Sequence, residues 1–547
     1  MNFLQEIFTR LDASPDTTIL QELREGRIVS ITGSELLELV DKARSFLAVQ
    51  RLKKGDRCAL LAHNSIRWVA MDLAIMAEGL IVVPLYARQA PEELVVMMKD
   101  CAPALICCGD AELRDGIVEN WGETPPQFVF DQIFDRSGSA AGMAKFADSD
   151  AVTIIYTSGT SGEAKGVVLN ACNISHMLGC TSARLDLLMQ NENRARQDRV
   201  FHYLPFCFAG SWIMLLTCLL RRSPLTLNTD LSRLAKDMRA AAPDYFLNVP
   251  ALLERMRRAV DEQLGKTGGL ALIIYSRAKR AWLRRQAGQG GSIWLSVARM
   301  AVFPTIRKKM IGSNLKALIC GSAPLNVETQ LYFMMLGIPV LQVYGLTETT
   351  AICTMDDPRH IQAGRVGPAI SGIEMKLGEN DEIVVRGSNI FPGYWNRPEE
   401  TAAALRDGWF HTGDQGEVNE EGNWSIVGRI NNLIILGSGH NIAPEPIEDE
   451  LLRHLPGAQQ VVLTGNGRGY VSAIVTGDVS REDVQGALDS VNSQLPHYKQ
   501  VRAFHIHPEP FSIDNGLLTA NGKLKRELIT LQLHAQIEDM YGVKQAS

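Results

Sequence analysis

Apolar positions in the first part of the chain follow two different periods. Residues 34–49 repeat them at helical spacing, whereas residues 58–62, 80–85 and 104–108 are short apolar runs of strand length. Helix-length segments separate these runs, which is the pattern of an α/β unit on a largely parallel sheet. Residues 152–156, Val-Thr-Ile-Ile-Tyr, are β-branched and aromatic and predict another strand, as do Val167, Val168 and Leu169. Leu318-Ile-Cys and Val340-Leu-Gln-Val-Tyr read as two more, each delivering small or polar residues at its carboxyl end. After Gly428-Arg-Ile-Asn-Asn432 a smaller remainder follows, and every cysteine precedes it. The predicted fold class is α/β: a large N-terminal region of mixed and parallel sheets flanked by helices, residues 1–430, then a small α+β domain, residues 431–547. No internal repeat or low-complexity tract interrupts it.

Composition narrows this little. At 547 residues the chain exceeds one compact core, and 46% apolar with 21% charged residues is ordinary for a globular protein. The strongest membrane-span candidate, residues 68–86, is broken by Asp72, Glu78 and Gly79. The opening Met-Asn-Phe-Leu-Gln-Glu-Ile has no basic region or long apolar stretch, so no secretory signal is expected. The ten cysteines form no C-x-x-C pair and predict neither disulfide framework nor zinc site. A net charge of −6 argues against a nucleic-acid binder. A cytoplasmic protein is expected.

Local charge changes the picture once. Residues 263–327 hold eleven Lys or Arg and no Asp or Glu. Within them Ala271, Ile274, Ala278, Ala281 and Trp282 share a helical face, with Arg277, Arg280 and Arg284 on another. A basic amphipathic helix of this kind suits the anionic inner face of a membrane, or else a solvated face that tolerates cations.

The candidate chemistry centres on Thr157-Ser-Gly-Thr-Ser-Gly-Glu-Ala-Lys-Gly-Val167. Its glycines let backbone approach an anion closely, its hydroxyls and free N–H groups donate, and Lys165 adds full charge. It is not a P-loop: Ala164 stands at the second glycine, Gly166 at the magnesium-binding hydroxyl, and a strand rather than a helix follows. Downstream, Gly321-Ser-Ala-Pro324 is a small-residue turn that can lie flat against a purine, and Tyr344-Gly-Leu-Thr-Glu348 ends a strand where open α/β sheets bind ligands. There Tyr344 can stack on a base, Thr347 can donate to phosphate and Glu348 can hold a magnesium ion. Asp414, in Gly408-Trp-Phe-His-Thr-Gly-Asp, suits the two hydroxyls of a ribose, though an Asp in a turn is also a routine local acceptor.

In this order the stretches resemble the signatures of the acyl-adenylate-forming superfamily, joined by Gly428-Arg429 and Gly522-Lys523. The resemblance runs from about residue 20 to 530. The long span from Val249 to Pro324 with its basic insert is most similar to the long-chain fatty acyl-CoA synthetases. It implies ATP, Mg²⁺ and CoA as cofactor and co-substrates and a fatty acid as the acid activated. Thr157, Ser158, Gly159, Thr160, Ser161, Gly162 and Lys165 would hold the β- and γ-phosphates, Thr347 the α-phosphate and Glu348 the metal. Gly321, Ser322, Ala323, Pro324, Tyr344 and Gly345 would surround adenine, and Asp414 and Arg429 the ribose. Lys523 would reach the reacting carboxylate as a cation, its ordinary pKa near 10.4 keeping it charged. The small domain would then turn about Asn432, with Gly437 and Gly439 lining a channel for pantetheine. Phe208 and Trp212 would stand at the acyl tunnel, Trp212 as its gate or as a plain core aromatic.

Three positions depart from the family's pattern. Ala164 replaces a usual proline, Asn431-Asn432 a charged pair, and Phe208 a histidine. Alternatives remain an enzyme that loads an acyl carrier protein, a ligase for another hydrophobic or aryl acid, and a binding protein without turnover.

Overall fold

The computed structural model describes residues 2–135, 142–158, 164–190, 197–286, 288, 293–312, 314–519 and 522–542; the side chain of Ser158 is outside this set. Two large sheets carry the N-terminal region. In the first, Gln127–Val129, Leu105–Cys108, Arg57–Leu61, Ile81–Leu85 and Ala151–Ser158 run parallel, and the hairpin strand Ala164–Asn170 and the short Gly393–Tyr394 extend it antiparallel. The second has eight strands. Its parallel centre includes Val200–His202, Tyr245–Asn248, Ala317–Cys320 and Val340–Tyr344, with antiparallel strands at both edges. The α/β reading holds, and the predicted helix at 34–49 spans Gly33–Ala48.

Helices Ile66–Ala77 and Ala209–Arg221 belong to the main core. Both are apolar almost all round, as a helix covered on every side must be. That burial explains the membrane-like run at 68–86: a sandwiched helix and the central strand after it. Trp212 lies on the second of these helices, fully buried, and its indole Nε1 donates to Asp72 at 3.0 Å. Of the two readings open for Trp212, the structure shows the core aromatic, here holding a buried carboxylate, and Phe208, at the start of the same helix, is the one that faces the cavity described below.

The basic insert forms helices Pro250–Thr267, Gly269–Gln286, Ile293–Ala301 and Phe303–Met310. Here an expectation changes. Ile274, Ala278 and Trp282, on the face expected to meet lipid, belong to the protein's own second core, Ala281 is buried beside them, and Ala271 is exposed. Leu270, Ile273, Leu283, Ile293 and Met300 are left exposed instead. Among the described residues no helix is long and apolar enough to cross a membrane.

A third, antiparallel sheet, including Glu382–Gly387, Trp409–Val418 and Trp424–Arg429, leads to the remainder. From Ile434 onward buried side chains form clusters of their own around strands Ala458–Thr464, Val471–Gly477 and Val501–His507.

Candidate active site

The carboxyl ends of both large sheets and the rim of the third open onto one cavity of about 1450 Å³. The predicted phosphate loop joins two antiparallel strands, with Thr157 paired to Lys165 directly across the hairpin. Both line the cavity. Gly159, Thr160, Ser161 and Gly162 lie outside the described residues, as does the Ser158 side chain. Gly166 is required by packing: a Cβ there would stand 2.7 Å from Ile154.

Lys165 Nζ sits 5.5 Å from the ring centre of Tyr394, and the Tyr394 hydroxyl donates to Glu348 Oε1 at 2.9 Å. Tyr394 thus couples the loop's cation to the predicted metal carboxylate. Thr347 and Glu348 begin a short 3₁₀ turn after strand Val340–Tyr344. Gly345 lets that strand end run flush against the chain, since a Cβ would fall 2.3 Å from the Ala351 carbonyl oxygen. The oxygen donors here, one carboxylate and the hydroxyls of Thr157 and Thr347, suit a magnesium ion that shares its shell with substrate phosphates. Among the described residues no cluster of three His, Cys, Asp or Glu offers a complete protein cage.

Asp414 and Arg429 are cross-strand partners, and Arg429 Nε donates to Asp414 Oδ1 at 2.8 Å. The Tyr344 hydroxyl donates to Oδ2 at 2.7 Å. Burial raises the Asp414 pKa, and the guanidinium of Arg429 opposes that rise. Gly321, Ser322, Ala323 and Pro324 line the cavity, with Ser322 at φ +73°, a left-handed conformation that a non-glycine residue holds only under constraint.

Lys523 enters the same cavity from the small domain. Desolvation and then Arg429 push its pKa below that of a free lysine, while Asp414 and Glu348 pull it back. Its charge is thus less secure than its ordinary pKa implies. Gly437 and Gly439 form the tip of the hairpin between Ile434–Ile435 and Asn441–Ile442, with Gly437 N–H bonded to the Arg468 carbonyl, and they are not part of the cavity wall. Asn432 lies in the connecting turn Ile430–Asn432, where its amide donates to Glu445 at 2.6 Å.

Tyr86, Phe206, Phe208, Ile213, Met214 and Leu247 give the cavity an apolar part of its lining. Tyr394 is the residue the sequence reading missed. Its signal was the Phe391-Pro-Gly-Tyr turn, whose Gly393–Tyr394 strand pairs with Val167 and Val168 beside the loop.

Residues 7–395 match the AMP-binding enzyme family, and residues 431–545 match the AMP-binding enzyme C-terminal domain. The long-chain-fatty-acid–CoA ligase FadD15 of Mycobacterium bovis is 25% identical, the alignment covering 99% of this chain and 97% of that one. The human long-chain-fatty-acid–CoA ligase 1 is 28% identical over 90% of this chain and 80% of its own length. Among solved structures, ATP-bound MatB from Rhodopseudomonas palustris superposes with a TM-score of 0.75 at 23% identity, covering 97% of this chain and 99% of that one. The family match over most of the chain, with its C-terminal partner in sequence order, establishes that this protein belongs to the AMP-binding enzymes.

Proposed function

We propose that this chain is an ATP-dependent, AMP-forming fatty acid–CoA ligase: it activates a medium- to long-chain carboxylate as acyl-AMP and transfers it to CoA. One observation carries the reading. Lys523 of the small domain shares a cavity with Glu348 and Arg429 and feels the charge of Asp414 behind them, while the Gly437–Gly439 turn is elsewhere. That is the arrangement needed for the first half-reaction and not for the second. Relatives named long-chain fatty acid–CoA ligases, aligned over nearly the whole chain, support the choice of acid and acceptor.

In the first step the carboxylate attacks the α-phosphorus of ATP and pyrophosphate leaves. Positioning and charge neutralisation are the protein's main contributions to such a displacement. Thr157 and Lys165 hold the outer phosphates, Thr347 the α-phosphate, and Asp414, braced by Arg429 and Tyr344, the ribose hydroxyls. Gly321 to Pro324, with the ring of Tyr344 and with Gly345, enclose the base. A magnesium ion bound by Glu348 would neutralise phosphate charge. Lys523 brings the attacking oxygen and the α-phosphate together. Turning about Asn432 then withdraws Lys523 and brings Gly437 and Gly439 to the site, where the CoA thiol displaces AMP.

The apolar part of the lining, which includes Phe208 and Met214, accommodates the acyl chain. A separate feature favours a membrane-bound supply of that acid. Leu270, Ile273, Arg277, Arg280 and Arg284 recur at i, i+3, i+7, i+10 and i+14, one helical stripe, and Arg277 stacks on Trp294 at 4.4 Å. Exposed apolar tips among arginines suit peripheral contact with anionic lipid.

AMP release across an acid panel, from acetate to very long fatty acids and aryl acids, tests the reading with free CoA and with an acyl carrier protein as acceptors. The expected maximum is a fatty acid with CoA. Turnover confined to the carrier protein, or to aryl acids, would replace it.

A further inference from the structure

Lys523 does not reach the cavity alone. Residues 517–519 and 523–525 pair antiparallel, through Thr519 N–H to the Lys523 carbonyl at 2.8 Å and Lys525 N–H to the Leu517 carbonyl at 2.9 Å. Alternation along an extended segment puts Lys523 and Lys525 on one side and Leu524 on the other. Leu524 packs on the small domain's own cluster. Lys525 Nζ then lies 3.7 Å from Oε1 of Glu93 in the large domain.

Glu93 is a prepared anchor. It lies in the first turn of helix Pro91–Cys101, where the helix N-terminus favours an anion. Its other oxygen accepts from the Gln89 amide at 2.7 Å. Among the described residues, Glu93–Lys525 is the one ion pair within 4.0 Å that crosses from residues 1–430 to the remainder.

Resting on the ligase reading, we propose that Glu93 is a positioning residue: its ion pair with Lys525 latches the small domain in the adenylate-forming orientation and so places Lys523. Both partners are partly exposed, so the pair is weak in absolute terms. A rotation that must occur in every turnover needs a weak latch, because a deep one would trap the enzyme in the first half-reaction. The pair sits two residues from the group that acts, which turns a small bias into a choice between half-reactions.

Glu93→Gln tests this with the two half-reactions measured separately. Fatty-acid-dependent ATP–pyrophosphate exchange should fall roughly two- to fivefold, while thioester formation from supplied acyl-AMP stays level or rises. The charge swap Glu93→Lys with Lys525→Glu should restore exchange, and salt should depress exchange more in the wild type than in Glu93→Gln. Trypsin should cut after Lys523 and Lys525 faster in the ligand-free Glu93→Gln variant. Unchanged exchange and unchanged cleavage would overturn the latch, as would an equal loss in both half-reactions that the swap does not repair. A wild-type protein that exchanges pyrophosphate with no acid would refute the ligase reading, and the cleavage rates would still report on the latch.

Discussion

The hydroxyl of Tyr394 donates to Glu348 at 2.9 Å, and the face of the same ring lies 5.5 Å below Lys165. One aromatic side chain therefore orients the carboxylate proposed to hold magnesium and braces the lysine proposed to hold phosphate.

Tyr394→Phe keeps the ring and removes only the donor. A hydrogen bond to a charged group contributes about 1.5–3 kcal/mol, so kcat should fall roughly ten- to a hundredfold if that contribution is expressed in the transition state. The Mg²⁺ concentration for half-maximal rate should rise in parallel. Steady-state kinetics at varied Mg²⁺ measures both. An unchanged Mg²⁺ dependence would separate Tyr394 from the metal carboxylate.

The buried Asp72–Trp212 pair makes a prediction about stability. Asp72 is wholly buried, and desolvation raises its pKa to about 7, with the Trp212 hydrogen bond opposing. The native state thus keeps a proton up to about pH 7 that the unfolded chain releases near pH 4. Between those limits the native state binds more protons, so this group's contribution to stability falls as pH rises and is flat above. Asp72→Asn keeps an acceptor for the indole and removes the titration. Relative to that variant, wild-type stability should decline between pH 5 and pH 8 by an amount on the order of 1–4 kcal/mol. Parallel melting curves at all pH values would contradict it.

That Thr157, Lys165, Thr347, Glu348, Arg429 and Lys523 come to one cavity was legible because each stands in or beside a glycine- or aromatic-marked stretch. What was not legible depends on distant partners. Sequence leaves Trp212 open between a gate and a core aromatic because the carboxylate that fixes it, Asp72, lies 140 residues away. Tyr394 reaches the loop only through the pairing of Gly393–Tyr394 with the hairpin. In the helix Gly269–Gln286, periodicity identified the apolar face but not its cover, which is the protein's own core rather than lipid. Local pattern names the chemistry, and tertiary pairing decides which side chains stand behind it.

That helix leaves a different face exposed, the one proposed to meet lipid. Leu270→Asp with Ile273→Asp changes two exposed tips without touching the buried side. Wild-type protein should pellet with anionic vesicles at low salt and release at high salt, as screening of the arginines requires. The double variant should bind at least roughly tenfold more weakly, since each buried aliphatic tip contributes on the order of 1 kcal/mol or more. Equal pelleting by the two proteins would place the contact elsewhere.

On the proposed mechanism Lys523 acts in acid activation and leaves before thioester formation. Its lowered pKa adds a signature: acyl-adenylate formation should decline on the alkaline side at lower pH than an ordinary lysine would allow. The most direct measurement is the pair of half-reactions in Lys523→Ala. Fatty-acid-dependent ATP–pyrophosphate exchange should drop roughly 10²–10³-fold, the scale of losing a transition-state charge donor, while CoA thioester formation from supplied acyl-AMP proceeds at close to the wild-type rate. Survival of exchange, or loss of both half-reactions together, would contradict the account.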